Sequence, residues 1–171
     1  MTLDEIAALL EPQIPGLRRY AWALLRDDEA ADDLVQDTLE RAIRHWSQRR
    51  RDGDLKAWLF TIQRNLFLNG LRKRRTHGVQ VGVEVLDDVS ASVDTPESHA
   101  GLRDILAGLD ALPEEQRSVL LLIGVEDLSY EQAAQALDIP LGTVMSRLSR
   151  ARGRLREFME NGRNAVLRRV K

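Results

Sequence analysis

Residues Leu128–Met159 read LSYEQAAQALDIPLGTVMSRLSRARGRLREFM. Ser129 is placed to cap a helix, with Glu131 and Gln132 in the first turn behind it. Ala133, Ala134 and Leu137 give that helix a small apolar side on which a second helix can cross closely. Asp138-Ile139-Pro140-Leu141-Gly142 reads as a turn, and Thr143 caps or opens the second helix. There Val144, Leu148, Ala151, Leu155 and Phe158 stand four, three, four and three residues apart, a single core stripe. The other side carries Thr143, Ser146, Arg147, Ser149, Arg150 and Arg154. Caps, turn, stripe and basic face together predict a helix-turn-helix whose second helix enters a major groove, because arginine fits the O6/N7 edge of guanine while hydroxyls hold phosphate.

Upstream, Pro113 starts a helix in the first-turn position it favours, followed by Glu114 and Glu115. Leu102, Ile105, Leu106, Leu109 and Leu112 form one more stripe before it. The stretch from Thr76 to Ser98 differs: small, β-branched and acidic residues, one proline and no helical period. It reads as a flexible linker with a short extended piece at Val79–Val85. A loop of that length predicts an all-α chain of two small helical domains, residues 1–76 and 101–171, joined across 77–100.

The first domain opens with a helical unit from Leu3 to Arg26, broken near Pro12 and Pro15. The segment Glu29–Trp46 is the clearest amphipathic helix. Ala31, Leu34, Val35, Thr38, Leu39, Ala42, Ile43 and Trp46 share one face; Asp32, Asp33, Gln36, Asp37, Glu40, Arg41 and Arg44 share the other. Ser47–Asp54 is a loop with an Asp-Gly turn. A 22-residue helix, Asp54–Arg75, follows, apolar in its first half and ending on Arg72-Lys73-Arg74-Arg75. Trp58 and Phe60 cannot easily both face one core. The charge alternates along the chain. Residues 49–75 and 139–171 each carry nine basic and two acidic side chains, net +7, whereas 1–48 and 102–138 are net −5 and −6. Two basic blocks in a chain of net charge −2 point to two places that meet a polyanion. Aromatic residues beside a basic helix end, as in Trp58–Arg75, suit single-strand capture.

Much is excluded. The chain has 171 residues and no cysteine, so it holds no disulfide, cysteine zinc site or thiol switch. No run approaches 18 apolar residues, and the acidic N-terminus is unlike a signal peptide, so a cytoplasmic protein is expected. No P-loop, GxGxxG or GxSxG occurs. The acids at Asp32, Asp33 and Asp37 lie where a helix N-terminus favours them. Binding rather than catalysis is expected, with no cofactor and no metal.

The chain resembles the extracytoplasmic-function (ECF) group of bacterial RNA polymerase sigma factors. DDLVQDTLERAIRHW (Asp32–Trp46) is similar to the family's core-polymerase-binding helix. DLKAWLFTIQRNLFLNGLRKRR (Asp54–Arg75) is similar to its promoter-melting, minus-ten helix, and Leu112–Arg156 to its region 4, which binds the minus-thirty-five element. The resemblance implies core-polymerase docking through Asp32, Asp33, Gln36, Asp37 and Glu40. It implies minus-ten DNA contacts from Arg49, Arg50, Arg51, Trp58, Arg64, Asn65, Asn69, Arg72, Arg74 and Arg75, with a flipped base held by the loop Ser47–Leu55. It implies minus-thirty-five contacts from Thr143, Ser146, Arg147, Ser149, Arg150 and Arg154. It also implies an anti-sigma factor, often tethered to the inner membrane, around which the two domains close. Two departures stand out: Asn69 where many relatives have Asp, and Met145 where Lys is frequent. A DNA-binding regulator that never joins polymerase would account for region 4 but leave Asp32–Arg75 without a purpose. A helical adaptor without a DNA role would leave both basic blocks idle.

Overall fold

The computed structural model describes residues 1–76 and 96–169, the last helix's end (163–169) and residues 96–99 by their backbone alone. Eight α-helices follow one another: α1 (Leu3–Leu10), α2 (Ile14–Leu25), α3 (Asp28–Arg44), α4 (Leu55–Thr76), α5 (Pro96–Asp110), α6 (Glu114–Gly124), α7 (Tyr130–Leu137) and α8 (Leu141–Arg169). Short 3-10 turns occupy Glu11–Gln13 and Trp46–Gln48, and the described residues contain no strand.

Local chemistry sets the boundaries. Pro12 and Pro15 both fall in first-turn positions, so the chain bends between α1 and α2 through a 3-10 turn instead of breaking. Arg26 ends α2 in the left-handed conformation (φ 55°), and Asp27 caps α3, its carboxylate accepting from Ala30 N at 2.7 Å. Asp54 caps α4 in the same way through Ala57 N, so it stands outside the helix that the sequence reading begins with it. Ser129 and Gln132 close a reciprocal capping box on α7, and Asp138 (φ 51°) ends that helix. The expected helix-turn-helix is therefore present, with α8 opening at Leu141 and Thr143 within its first turn rather than at its start. The helical pattern expected from Gly101 starts at Pro96. The rest of the linker, the extended piece at 79–85 included, lies outside the described residues.

Two bundles result. In the N-terminal half α2, α3 and α4 pack around Leu17, Tyr20, Ala21, Ala42, Leu59 and Phe60. Tyr20 meets Phe60 edge-to-face, ring centroids 5.3 Å apart. Phe60 is buried whereas Trp58 is only half-buried, leaning edge-on against Trp46 at 6.0 Å. In the C-terminal half α5, α6 and α7 all pack on α8 around Leu112, Val119, Leu122, Ala133, Val144 and Leu148.

The halves share a seam, with α4 packed on α7 and α2 meeting α6. Its centre is polar. Tyr20 OH donates to Ser118 Oγ (3.1 Å), which donates to Glu114 Oε1 (2.6 Å). Burial pushes the Tyr20 phenol up to about 12. Glu126, 2% exposed, accepts from Arg19 Nε (3.1 Å) and Nη2 (2.9 Å), and its backbone carbonyl accepts from Lys56 Nζ. Gly16 leaves the room this needs: a Cβ there would stand 2.7 Å from Glu126 Oε2. Arg26 reaches Asp110 (3.3 Å) and the Leu106 carbonyl; burial lowers its pKa against the pull of Asp110. Gln132 Nε2 donates to Asp54 Oδ2 at 2.7 Å. N-terminal cations and a phenol thus meet acids of α5, α6 and the turn after α6.

Candidate nucleic-acid and polymerase interfaces

On α3, Asp32, Asp33, Gln36, Asp37 and Glu40 are all exposed, opposite buried Leu34, Val35 and Thr38. The buried Thr38 hydroxyl donates to the Leu34 carbonyl at 2.7 Å, so the stripe is satisfied as well as apolar. Asp32 is paired with Arg18 Nε at 2.8 Å, and Gln36 donates to Glu40 at 3.0 Å. Asp33 and Asp37 make no ion pair among the described residues, leaving two free carboxylates at the centre of the face.

The ten residues expected at the melted strand divide. Arg49 donates to the Gly53 carbonyl (3.0 Å) and lies 5.2 Å from the Trp46 ring, so it braces the loop before α4. Arg50 pairs with Asp52 and lowers that exposed carboxyl's pKa. Arg64 is mostly buried, 3.4 Å from Glu114 of α6. Arg51, Asn65, Asn69, Arg72, Arg74 and Arg75 are exposed. Asn65, Asn69 and Arg72, spaced four and three, share one side of α4, continued by Arg74 and Arg75 at its end; Trp58 is half-buried beside Trp46.

On α8, Ser146, Ser149, Arg150 and Arg154 are exposed and Thr143 is half-buried. Ser146 Oγ donates to the Thr143 carbonyl, closing on its own helix. Arg147 is different: its guanidinium is 3.6 Å from Glu115 of α6 and its side chain is 22% exposed. Sequence reasoning passed over Arg152 and Arg156, which with Tyr130, Met145 and Ser149 line a cleft of about 460 Å³ between α7 and α8. Their spacing, one residue behind each core position, was the available clue. Sequence reasoning also passed over Glu126, for which no local pattern exists, and placed Gln132 only in the first turn behind the Ser129 cap, not against Asp54 of the other half. Among the described residues no group of His, Asp and Glu is arranged to hold a metal ion.

Residues 10–63 match the family model described as the Sigma2 domain of PhyR, and residues 102–155 match Sigma-70, region 4. The chain is 40% identical over 148 residues to the ECF RNA polymerase sigma factor EcfG of Rhodopseudomonas palustris (strain TIE-1), covering 83% of this chain and 78% of that one. It is 29% identical over 170 residues to the ECF RNA polymerase sigma factor SigM of Bacillus subtilis (strain 168), covering 96% and 99%. The sigma factor RpoE of Bartonella quintana, solved in complex with the anti-sigma factor NepR, superposes with a TM-score of 0.76 at 36% identity, over 92% of this chain and 98% of that one. These matches give Asp32–Arg75 the purpose that a regulator acting without polymerase would not. The chain belongs to the ECF RNA polymerase sigma factors: it is not an enzyme but a transcription initiation factor that binds core RNA polymerase and directs it to promoter DNA.

Proposed function

We propose a division of that work among three surfaces. The acid face of α3, centred on Asp33 and Asp37 with Asp32, Gln36 and Glu40 around them, docks on core polymerase. The loop Ser47–Leu55 and the outer side of α4 take the minus-ten strand: Arg51, Asn65, Asn69, Arg72, Arg74 and Arg75 directly, Arg50 after leaving Asp52. Arg49 and the Trp46–Trp58 pair hold the loop in shape. Arg64 becomes available only when it leaves Glu114, so strand capture and opening of the seam go together. The outward side of α8, with Ser146, Ser149, Arg150 and Arg154, meets the minus-thirty-five element, while Thr143 and Arg147 position it. The observation that carries this reading is the segregation of exposed charge: acids on α3, cations on α4 and α8, each set opposite a buried stripe.

Control by an anti-sigma factor is part of the same proposal, supported by the likeness to RpoE, whose solved structure contains one. Such a partner would hold the two halves together, and polymerase would spread them. The place of action is the cytoplasm, where polymerase and chromosome meet; an inhibitor anchored in the inner membrane would keep the resting chain beside it. The test is capture of core polymerase by the chain carrying Asp33→Ala with Gln36→Ala. Both side chains are exposed, so helix content should stay at the wild-type level while capture falls at least tenfold. Equal capture by variant and wild type would remove α3 from the docking surface.

A further inference from the structure

Three stripes run side by side along α8. The middle one, Val144, Leu148 and Ala151, is buried. One residue before each of its members stand Thr143, Arg147 and Arg150, continued by Arg154; one residue after stand Met145, Ser149 and Arg152, continued by Arg156. A step of one residue turns the helix by about 100°, so the outer stripes lie on opposite flanks of the buried one.

The flanks are not equivalent. On the first, Arg147 has its charge met within the protein by Glu115 of α6. The second opens on the 460 Å³ cleft whose far wall is Tyr130, the first residue of α7. Arg152 and Arg156 line that cleft and make no ion pair among the described residues. Met145 also lines it and is 47% exposed, more than Leu141 and Phe158, the other exposed large apolar side chains among the described residues of α8, at 38% each. In a helix-turn-helix the first helix crosses the DNA backbone while the start of the second reaches base edges. The flank beside the start of α7 is therefore the one that faces backbone, and Met145, in the second turn of α8, lies at base depth. The apolar group that major-groove base edges offer is the C5-methyl of thymine.

We propose that Met145 reads a thymine methyl in the minus-thirty-five element and that Arg152 and Arg156 hold the phosphates next to it. This makes Met145 a specificity-determining residue and moves the centre of the interface toward the α7 side of the helix. It rests on the reading of α8 as the helix that recognises DNA.

The probe is a promoter selected by the holoenzyme from a randomised library, with each minus-thirty-five thymine replaced in turn by deoxyuridine, which removes only the methyl. At one position the wild-type holoenzyme should lose about fourfold in affinity, the worth of one methyl-sized apolar contact. Met145→Ala should bind the thymine promoter about as weakly and lose the difference between thymine and deoxyuridine there. Arg152→Ala and Arg156→Ala should weaken all sequences alike, each flattening the plot of log affinity against log salt by about one. The proposal is overturned if Met145→Ala keeps the deoxyuridine response, or if Arg154→Ala flattens the salt dependence while Arg152→Ala and Arg156→Ala do not. If scrambling the whole element leaves affinity unchanged, α8 does not recognise DNA, and the broader reading falls together with this one.

Discussion

Gln132 serves two helix caps at once. Its Oε1 accepts from Ser129 N at 2.7 Å and closes the capping box of α7. Its Nε2 donates at 2.7 Å to Asp54 Oδ2, whose other oxygen caps α4. Gln132→Glu keeps the first role, since Glu serves in a capping box as well as Gln, and turns the second into two facing carboxylates. Losing a hydrogen bond to a charged acceptor costs about 1.5–3 kcal/mol. Repulsion between unit charges at about 4 Å adds up to about 4 kcal/mol at an effective dielectric of about 20. Both side chains are partly exposed and free to swing apart, so the combined effect on closure falls at about 2–3 kcal/mol. At 1.4 kcal/mol per decade that is a shift of roughly 30- to 150-fold toward separated halves. Adding Asp54→Asn restores a donor opposite the new carboxylate and keeps a good N-cap, so the double variant should close again. The chain has no cysteine, so cysteines introduced at exposed Glu29 and Gln135 carry a dye pair cleanly. Energy transfer should fall in Gln132→Glu and recover in the double variant, with constant helix content throughout. Identical transfer in wild type, single and double variants would refute the bridging role of Gln132.

Two further outcomes follow from the same seam. The buried Tyr20 phenol keeps its proton up to about pH 12, whereas an unfolded tyrosine releases it near 10; the folded state then binds more protons than the unfolded one, and stability falls as pH rises from about 10 to 12. Tyr20→Phe should remove that part of the fall, seen as a shallower decline of melting temperature across the window than wild type shows, and should cost about 1 kcal/mol near neutrality for the lost bond to Ser118. Gly16→Ala favours helix in α2 by up to about 1 kcal/mol but forces Glu126 away from Arg19. Energy transfer between the two halves should therefore drop, and should drop no further when Arg19→Ala is already present, a coupling that a double-mutant cycle reads directly.

What the sequence displayed and what it hid separate along a physical line. The buried parts of the stripes, Leu34, Val35, Thr38 and Ala42 on α3 and Val144, Leu148 and Ala151 on α8, are written in residues three or four apart, as is the capping box at Ser129, and they stand where that spacing puts them. At the stripe ends Ile43 and Phe158 are exposed, and α3 stops at Arg44, short of Trp46. Trp58 and Phe60 split between surface and core because residues two apart on a helix point about 200° apart, to nearly opposite faces. The seam has no such periodic record. Tyr20 sits on an apolar stripe and looks like ordinary core until Ser118, 98 residues away, is found against its hydroxyl. Glu126 looks like a surface acid until Arg19, 107 residues away, covers it. Arg147 belongs by spacing to the exposed basic face, but Glu115 on a neighbouring helix draws it inward. A one-dimensional pattern records which face of a helix is buried, not which element buries it.

The separation along the chain between seam partners has a consequence in time. Arg19 and Tyr20 are synthesised 107 and 98 residues ahead of Glu126 and Ser118. At about 5–20 residues per second that is a delay of roughly 5–20 s, whereas helices form in about a microsecond. Every new chain passes through an interval in which its N-terminal bundle has been made and Arg19, Lys56 and Arg64 still lack the groups that later claim them. The ribosome's pace sets the length of that interval, and arrival of α6 and the turn after it brings it to an end.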